Sequence, residues 1–154
     1  MSNPKQDRTH EPSDDQRRGH RQPAYSRKQP ALRLDLAIDE YERDLARRAI
    51  SAETIRNYRK VLDLAFRFWQ GQMGHLPTLD DITVRAGETF LDHLRERGQL
   101  SRCHGELREK PLSVETLRTY VRALKAFTGW LAAPKQRYTQ DNRFELLPMP
   151  RKPQ

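Results

Sequence analysis

The sequence is poor in the features that mark secreted and membrane proteins. It has a single cysteine, Cys103, so no disulfide can form within the chain, and a reducing compartment such as the cytoplasm is expected. No stretch of 18 apolar residues occurs, so the sequence predicts no transmembrane helix and no membrane partner. The first 30 residues contain no apolar run either, and we expect no signal peptide.

Patterns that bind metals, cofactors or small substrates are also missing. The five histidines are scattered, and their spacing relative to Cys103 matches no metal site. No glycine-rich phosphate loop is present. We interpret the adjacent Asp80 and Asp81 as residues that serve the start of a helix rather than as a catalytic pair. The sequence therefore predicts no cofactor, no metal and no small-molecule substrate.

Apolar residues are too few for a core that extends through the whole chain. Of the 154 residues 35% are hydrophobic and 32% are charged, so we expect unstructured ends around a smaller domain. Residues 1–31 are rich in Pro, Gln, Asp, Arg and His, and they are predicted to be a disordered N-terminal tail. Residues 134–154 hold four of the ten prolines and are predicted to form an extended, linker-like tail. One helical domain is expected over residues 32–133.

The formal net charge of +8 favours a polyanionic partner. Lys and Arg outnumber Asp and Glu by seven to four in residues 1–32 and by five to two in residues 134–154. In residues 33–133 the two signs nearly balance, at seventeen to fifteen. A basic surface on the folded domain must therefore come from how its charges are placed.

The apolar residues of the central part recur with a helical period in four segments. The first two helices are predicted over residues 34–48 and 51–70. The third begins after Thr83 and the fourth at Ser113, with a polar loop between them over roughly residues 98–112. No segment alternates with period two for long enough to predict a strand, so the fold class is all-α.

A twelve-residue motif occurs twice, 62 positions apart and without a gap, as SAETIRNYRKVL from Ser51 and SVETLRTYVRAL from Ser113. Both serines are expected to cap a helix by accepting hydrogen bonds from free amides of the first turn. Glu53 and Glu115 then lie in that first turn and complement the helix dipole. The sequence thus predicts two helices that begin in the same way.

Helical phase places positive charge on matching sides of these two helices. At about 100° per residue from Ile55, three cations lie at roughly 100–140°, nearly opposite an apolar stripe centred near 330°; they are Arg56, Lys60 and Arg67. In the fourth helix, measured from Leu117, the equivalent cations lie at roughly 80–140°; they are Arg118, Arg122 and Lys125. Either these are ordinary solvated faces, or they are surfaces that contact phosphates and base edges.

Four aromatic residues of the same helices are assigned mainly to the core. Tyr58, Tyr120 and Trp69 lie on the apolar sides, so we expect them to pack inside rather than to stack on bases. Trp130 lies at the edge of its apolar stripe, which makes it a candidate to pack against the C-terminal tail.

Motifs in this order resemble the core-binding domain of the tyrosine recombinases, the phage integrase family. They begin with a first helix that ends near Arg48, and they continue with SAETIRNY from Ser51, FRFW from Phe66, LDDIT from Leu79, FLDHL from Phe90, LSVETLRTY from Leu112 and ALKAFTGWL from Ala123. The stretch from Asn142 to Pro153 resembles the linker that leads into the catalytic domain, with Arg143 where a proline is often found. The resemblance covers about residues 33–153.

This resemblance implies a SAM-like bundle of four to five helices whose second and fourth helices approach DNA. Carried over by position, the implied DNA contacts are Arg56, Arg59, Lys60, Arg118, Arg122 and Lys125. Arg67 joins them from the charge stripe, and Thr54 and Thr116 are expected to add phosphate bonds near the helix starts.

The catalytic residues of that family are missing. No His-x-x-Arg motif occurs, and 24 residues follow Trp130, too few for a catalytic domain. Tyr138 lies in the linker-like tail without an arginine cluster, so we do not interpret it as a nucleophile. The chain alone is therefore not expected to be an enzyme.

Three functional hypotheses remain. The leading one is double-stranded DNA binding in DNA integration or site-specific recombination, as the core-binding domain of a truncated, split or mobile-element recombinase. A full-length recombinase or a separate catalytic chain would then be a further partner. The alternative is a helical protein-interaction module that pairs with or modulates a full-length recombinase. The third is a remnant that folds without a specific partner.

Overall fold

Helices build the domain in the computed structural model. The structure describes the backbone of residues 31–97, 99–103, 106–110 and 112–152, and the side chains of residues 31–96 and 112–152. Four α-helices and one short 3-10 helix follow in chain order: α1 (Leu34–Arg47), α2 (Ala52–Met73), the 3-10 helix (Leu79–Asp81), α3 (Val84–Arg97) and α4 (Val114–Ala132). The predicted all-α class with four to five helices is confirmed. The predicted disorder of residues 1–31 falls almost entirely outside the described residues.

The repeated motif produces the same helix start twice. Ser51 Oγ accepts a hydrogen bond from the amide of Thr54 at 3.2 Å, and Ser113 Oγ accepts one from the amide of Thr116 at the same distance. Both predicted N-caps are therefore confirmed. α2 continues through Gly71 and stops at Gly74, whose φ of 73° is the left-handed conformation that ends many helices.

Two further polar residues organise the turn between α2 and α3. Thr83 Oγ1 accepts from the amide of Ala86 at 3.1 Å, as predicted for an N-cap. Asp81 accepts from the amide of Thr78 at 2.8 Å and closes a capping box on the 3-10 helix. Burial alone would raise the pKa of Asp81, but the hydrogen bonds from Thr78 and His75 lower it below its ordinary value. Asp81 thus serves a helix start, as interpreted.

The core is formed where α1, α2, α3 and α4 bring their apolar sides together. Tyr41 of α1 packs on Phe127 and Trp130 of α4, with ring centroids 5.3 and 5.2 Å apart. Trp69 and Tyr120 are buried and Tyr58 is half-buried, which matches their assignment to the apolar sides. No helix within the described residues is both long and apolar enough to cross a membrane.

The segment between α3 and α4 differs from the predicted loop over residues 98–112. It contains two antiparallel strands, β1 (Gln99–Cys103) and β2 (Glu106–Lys110), in a register that pairs Gln99 with Lys110 and Cys103 with Glu106. The two strands contain only Leu100, Cys103 and Leu107 as apolar residues, so their sequence lacks the alternation that predicts a strand. Backbone pairing defines this hairpin.

Residues 134–152, which we call the strap, return along the bundle after α4. They form no helix or strand, as their prolines suggested, but they are packed rather than free. Phe144 and Leu147 are 0% and 1% exposed. Gly87 of α3 makes room for them, because a Cβ there would lie 2.9 Å from Phe144 Cε1. The few apolar residues of this segment follow neither a helical nor a strand period, so the sequence did not reveal this contact.

We predict that Phe144→Ala lowers the free energy of unfolding by about 3–5 kcal/mol, because it removes a fully buried aromatic ring. Urea denaturation followed by the fluorescence of the two tryptophans measures the change, and the ring centroid of Trp69 lies 6.1 Å from that of Phe144. Leu146→Ala is the matched control, since Leu146 is 83% exposed and should change stability by less than about 0.5 kcal/mol. Equal effects of the two substitutions would contradict a strap that belongs to the core.

Candidate nucleic-acid interface

The outer side of α2 presents three cations to solvent. Arg56, Lys60 and Arg67 are all exposed. They line one shallow groove of about 500 Å³ together with Leu64 and the acidic Glu42 and Asp63. Among the side chains that the structure describes, none forms an ion pair or hydrogen bond with any of these three cations. Their charges are therefore available to an external anion.

Arg59, one of the predicted DNA contacts, has a different environment. Its Nη1 atom lies 2.7 Å from a carboxylate oxygen of Asp39 and 2.7 Å from one of Glu42, both on α1. Its Nε donates to Asp63 on α2 itself at 2.9 Å. The side chain is only 30% exposed. Arg59 thus ties α2 to the acidic side of α1, and its charge is compensated within the protein.

The cations of α4 are divided between the strap and solvent. Arg118 Nη1 donates to the carbonyl oxygen of Pro150 at 2.6 Å, and Lys125 Nζ donates to that of Glu145 at 3.3 Å. Arg122 is exposed, with no ion pair or hydrogen bond to its side chain in the described part of the chain. Of the three cations on this stripe, Arg122 alone points to solvent without a described partner.

The two threonines at the helix starts are half-buried and already engaged. Thr54 Oγ1 lies 2.8 Å from Ser51 Oγ, and Thr116 Oγ1 lies 2.9 Å from Ser113 Oγ. The serines also occupy the amides of both threonines. The serine caps therefore leave a phosphate at either helix start without the amide of the threonine as a donor.

Sequence reasoning did not identify a second group of cations near the start of α2. Arg47, Arg48 and Lys135 line a groove of about 670 Å³ together with Thr54. Arg48 also forms an ion pair with Asp44 at 3.1 Å. The paired arginines at the end of an otherwise acidic helix were the available signal, but Lys135 joins them only through the fold.

The structure brings the predicted contacts together in two sets. Arg56, Arg59, Lys60 and Arg67 line the α2 groove, while Arg118 and Lys125 share the strap. No described contact or groove joins the α2 set to the α4 set. A single surface formed by both helices stays a prediction.

Tyr138 has no neighbouring arginine cluster in the described part of the chain. Its hydroxyl donates to Glu40 Oε2 at 2.6 Å, and this bond to a carboxylate raises the pKa of Tyr138 above its ordinary value. Its ring packs on Trp130, with centroids 5.9 Å apart, so Trp130 does contact the strap.

No three His, Cys, Asp or Glu side chains within the described residues are placed to hold a metal ion.

Comparison with known protein families gives one result. Residues 38–103 match the family model described as phage integrase, N-terminal SAM-like domain. The matched stretch runs from within α1 through α2, α3 and β1, and it contains the α2 groove. No match was found among curated proteins or among solved structures. The resemblance inferred from the motifs is thereby confirmed over these residues.

Because Arg59 links three carboxylates, we predict that Arg59→Ala lowers the free energy of unfolding by about 1–2 kcal/mol, which allows for the partial exposure of the network. Thermal unfolding measures this change. Arg67→Ala, on the same helix but exposed, serves as the control and should stay within about 0.5 kcal/mol of the parent. If Arg59→Ala and Arg67→Ala unfold at the same temperature, Arg59 does not tie α2 to α1.

Proposed function

We propose that this protein, whose residues 38–103 match the phage integrase N-terminal SAM-like domain, binds double-stranded DNA in DNA integration or site-specific recombination. The observation that carries the proposal is the set of three exposed cations on α2, which lies inside the matched stretch. Arginine and lysine side chains donate to phosphate oxygens, and such contacts supply most of the sequence-independent affinity for DNA.

The charge balance of the domain supports DNA binding by the cations of α2. Residues 33–133 contain seventeen basic and fifteen acidic residues, so a random arrangement would leave little local excess of positive charge. The acidic residues Asp39, Glu42 and Asp63 converge instead on Arg59. Internal pairing of these carboxylates reduces their repulsion toward an approaching phosphate. With Arg59, the three exposed cations Arg56, Lys60 and Arg67 then outnumber these carboxylates and leave this side of α2 net positive.

The remaining predicted contacts enter the proposal in different ways. Arg122 is the α4 residue that reaches DNA together with the α2 cations. Thr54 and Thr116 offer hydroxyl groups near the helix starts. Arg59 acts indirectly, by holding α2 against α1. Arg118 and Lys125 are occupied by the strap, so we assign them no contact while the strap is docked.

We further propose that the domain binds DNA without cleaving it. The matched family model is that of the N-terminal domain alone, and Tyr138 bonds to Glu40 instead of to an arginine cluster. Strand cleavage would then require a full-length recombinase or a separate catalytic chain as partner, which we place in the cytoplasm with this protein.

A second candidate function is pairing with another protein, such as a full-length recombinase. The observation in its favour is the 670 Å³ groove beside α2, whose lining includes Tyr58, Trp130 and Ile50. Ile50 is 37% exposed, so this groove offers an apolar side chain to a partner. This function would require Ile50 for partner binding and would leave Arg56 and Lys60 replaceable.

We predict that Arg56→Ala/Lys60→Ala weakens binding to a fluorescein-labelled DNA duplex by about tenfold or more in low salt, measured by fluorescence anisotropy. The reason is the loss of two phosphate contacts. The slope of log Kd against log salt should also fall by about two. Affinity that does not change between low and moderate salt would argue against phosphate contacts altogether.

Arg43→Ala/Arg85→Ala is the matched control, because both arginines are exposed on α1 and α3 and their removal changes the net charge equally. We expect its affinity to stay within about twofold of the parent, since long-range attraction is screened. Equal weakening by the two double variants would show that the α2 groove is not the DNA-binding surface.

A further inference from the structure

The strap follows α4 from its last turn to its first. The amides of Tyr138 and Thr139 donate to Leu131 O at 2.9 and 3.2 Å, and the hydroxyl of Thr128 donates to Asn142 Oδ1 at 2.5 Å. Towards the start of α4 come the bonds of Lys125 and Arg118, and then an ion pair of 3.1 Å between Lys152 and Glu115. As the residue numbers of the strap rise, those of its contacts on α4 fall, so the strap runs antiparallel to α4.

The strap meets two cations of α4 with backbone carbonyl oxygens. A carbonyl oxygen accepts the same hydrogen bond that a phosphate oxygen would accept, but it carries no full charge. Arg118 Nε is buried and has no hydrogen-bond partner among the described residues. Its guanidinium group therefore keeps both its charge and an unused donor while the strap is docked. A phosphate would satisfy both.

The two ends of the strap are held very differently. The inner part is anchored by Phe144 and Leu147, which are fully buried against Gly87. In the outer part, residues 148–152, Pro148, Arg151 and Lys152 are exposed, whereas Met149 is half-buried against the core and Pro150 is buried. The polar contacts of this part are the Arg118 bond and the ion pair of Lys152 with Glu115, whose side chains are 65% and 59% exposed. Exposed ion pairs are weak and are screened by salt, and no large side chain of the outer part is fully buried, so this part is easier to release than the inner one.

We propose that the strap competes with DNA for α4. While its outer part is docked, Arg118 is kept from DNA, and release of residues 148–152 exposes Arg118 as an additional phosphate contact. This inference rests on the proposed DNA-binding function and adds a means of regulating it. Anything that draws the outer part away from α4 would strengthen DNA binding without changing the α2 groove.

The test measures how much Arg118→Ala weakens binding of the full chain to the labelled duplex in three backgrounds: the parent, Lys152→Glu and Arg151→Glu. Lys152→Glu places a carboxylate against Glu115 and repels the outer part of the strap. Arg151→Glu changes the net charge equally at an adjacent exposed residue. Comparing ratios within each background removes the general effect of charge.

We expect Arg118→Ala to weaken binding by less than about twofold in the parent and in Arg151→Glu, and by about tenfold or more in Lys152→Glu, the value of a charge-assisted hydrogen bond. Equal weakening in all three backgrounds would show that Arg118 contacts DNA with the strap docked. No weakening in any of them would show that Arg118 is not a DNA contact. Either result overturns the inference.

A second pair of variants releases the strap from its inner end. Gly87→Ala forces Phe144 to move, whereas Gly71→Ala on α2 adds a methyl group that meets nothing within 4 Å. The contribution of Arg118 should rise in Gly87→Ala and not in Gly71→Ala. The Arg56→Ala/Lys60→Ala variant, measured in the same titration, separates the two claims. If this double variant weakens binding while the contribution of Arg118 is the same in all backgrounds, only the strap inference fails. If neither the parent protein nor any variant binds the duplex, the DNA-binding function fails as well.

Discussion

The contact between α1 and α2 determines which cations of α2 can meet an external anion. Apolar side chains bring the two helices together, and Arg59 completes the contact by reaching Asp39 and Glu42 across the helix boundary. Once α2 is held in this rotation, Arg56, Lys60 and Arg67 face solvent. The acidic residues of α1 are thus compatible with the proposed DNA binding, because Asp39 and Glu42, the two of them that reach α2, are directed at Arg59.

The sequence predicted the helices well because helix formation here depends on local signals. Apolar periodicity located all four, and the serines of the repeated motif marked two starts that the structure confirms through Ser51 and Ser113. The hairpin of β1 and β2 was missed because backbone pairing defines it and its side chains carry no alternation. Phe144 was missed because its partners, Gly87 and Trp69, lie far away in the sequence.

In the candidate site, local sequence signals again predicted some features, whereas contacts between distant parts of the chain determine the others. Helical phase correctly separated the charged side of α2 from its core side, and Arg56 and Lys60 are exposed as the phase implied. Phase could not show that Arg59 meets three carboxylates, or that Pro150 and Glu145 bring carbonyl oxygens to Arg118 and Lys125. Those partners come from another helix and from the strap. A helical wheel describes one helix and contains no information about its neighbours.

The spacing of the exposed α2 cations also determines how they share a polyanion. Arg56 and Lys60 are one helical turn apart, about 6 Å along the axis, which is shorter than the Debye length of about 8 Å at physiological ionic strength. Arg67 lies about 10 Å further along, beyond that length. In the proposed complex, the first two therefore act on the counterion cloud of DNA as a single divalent charge, whereas Arg67 displaces counterions independently of them.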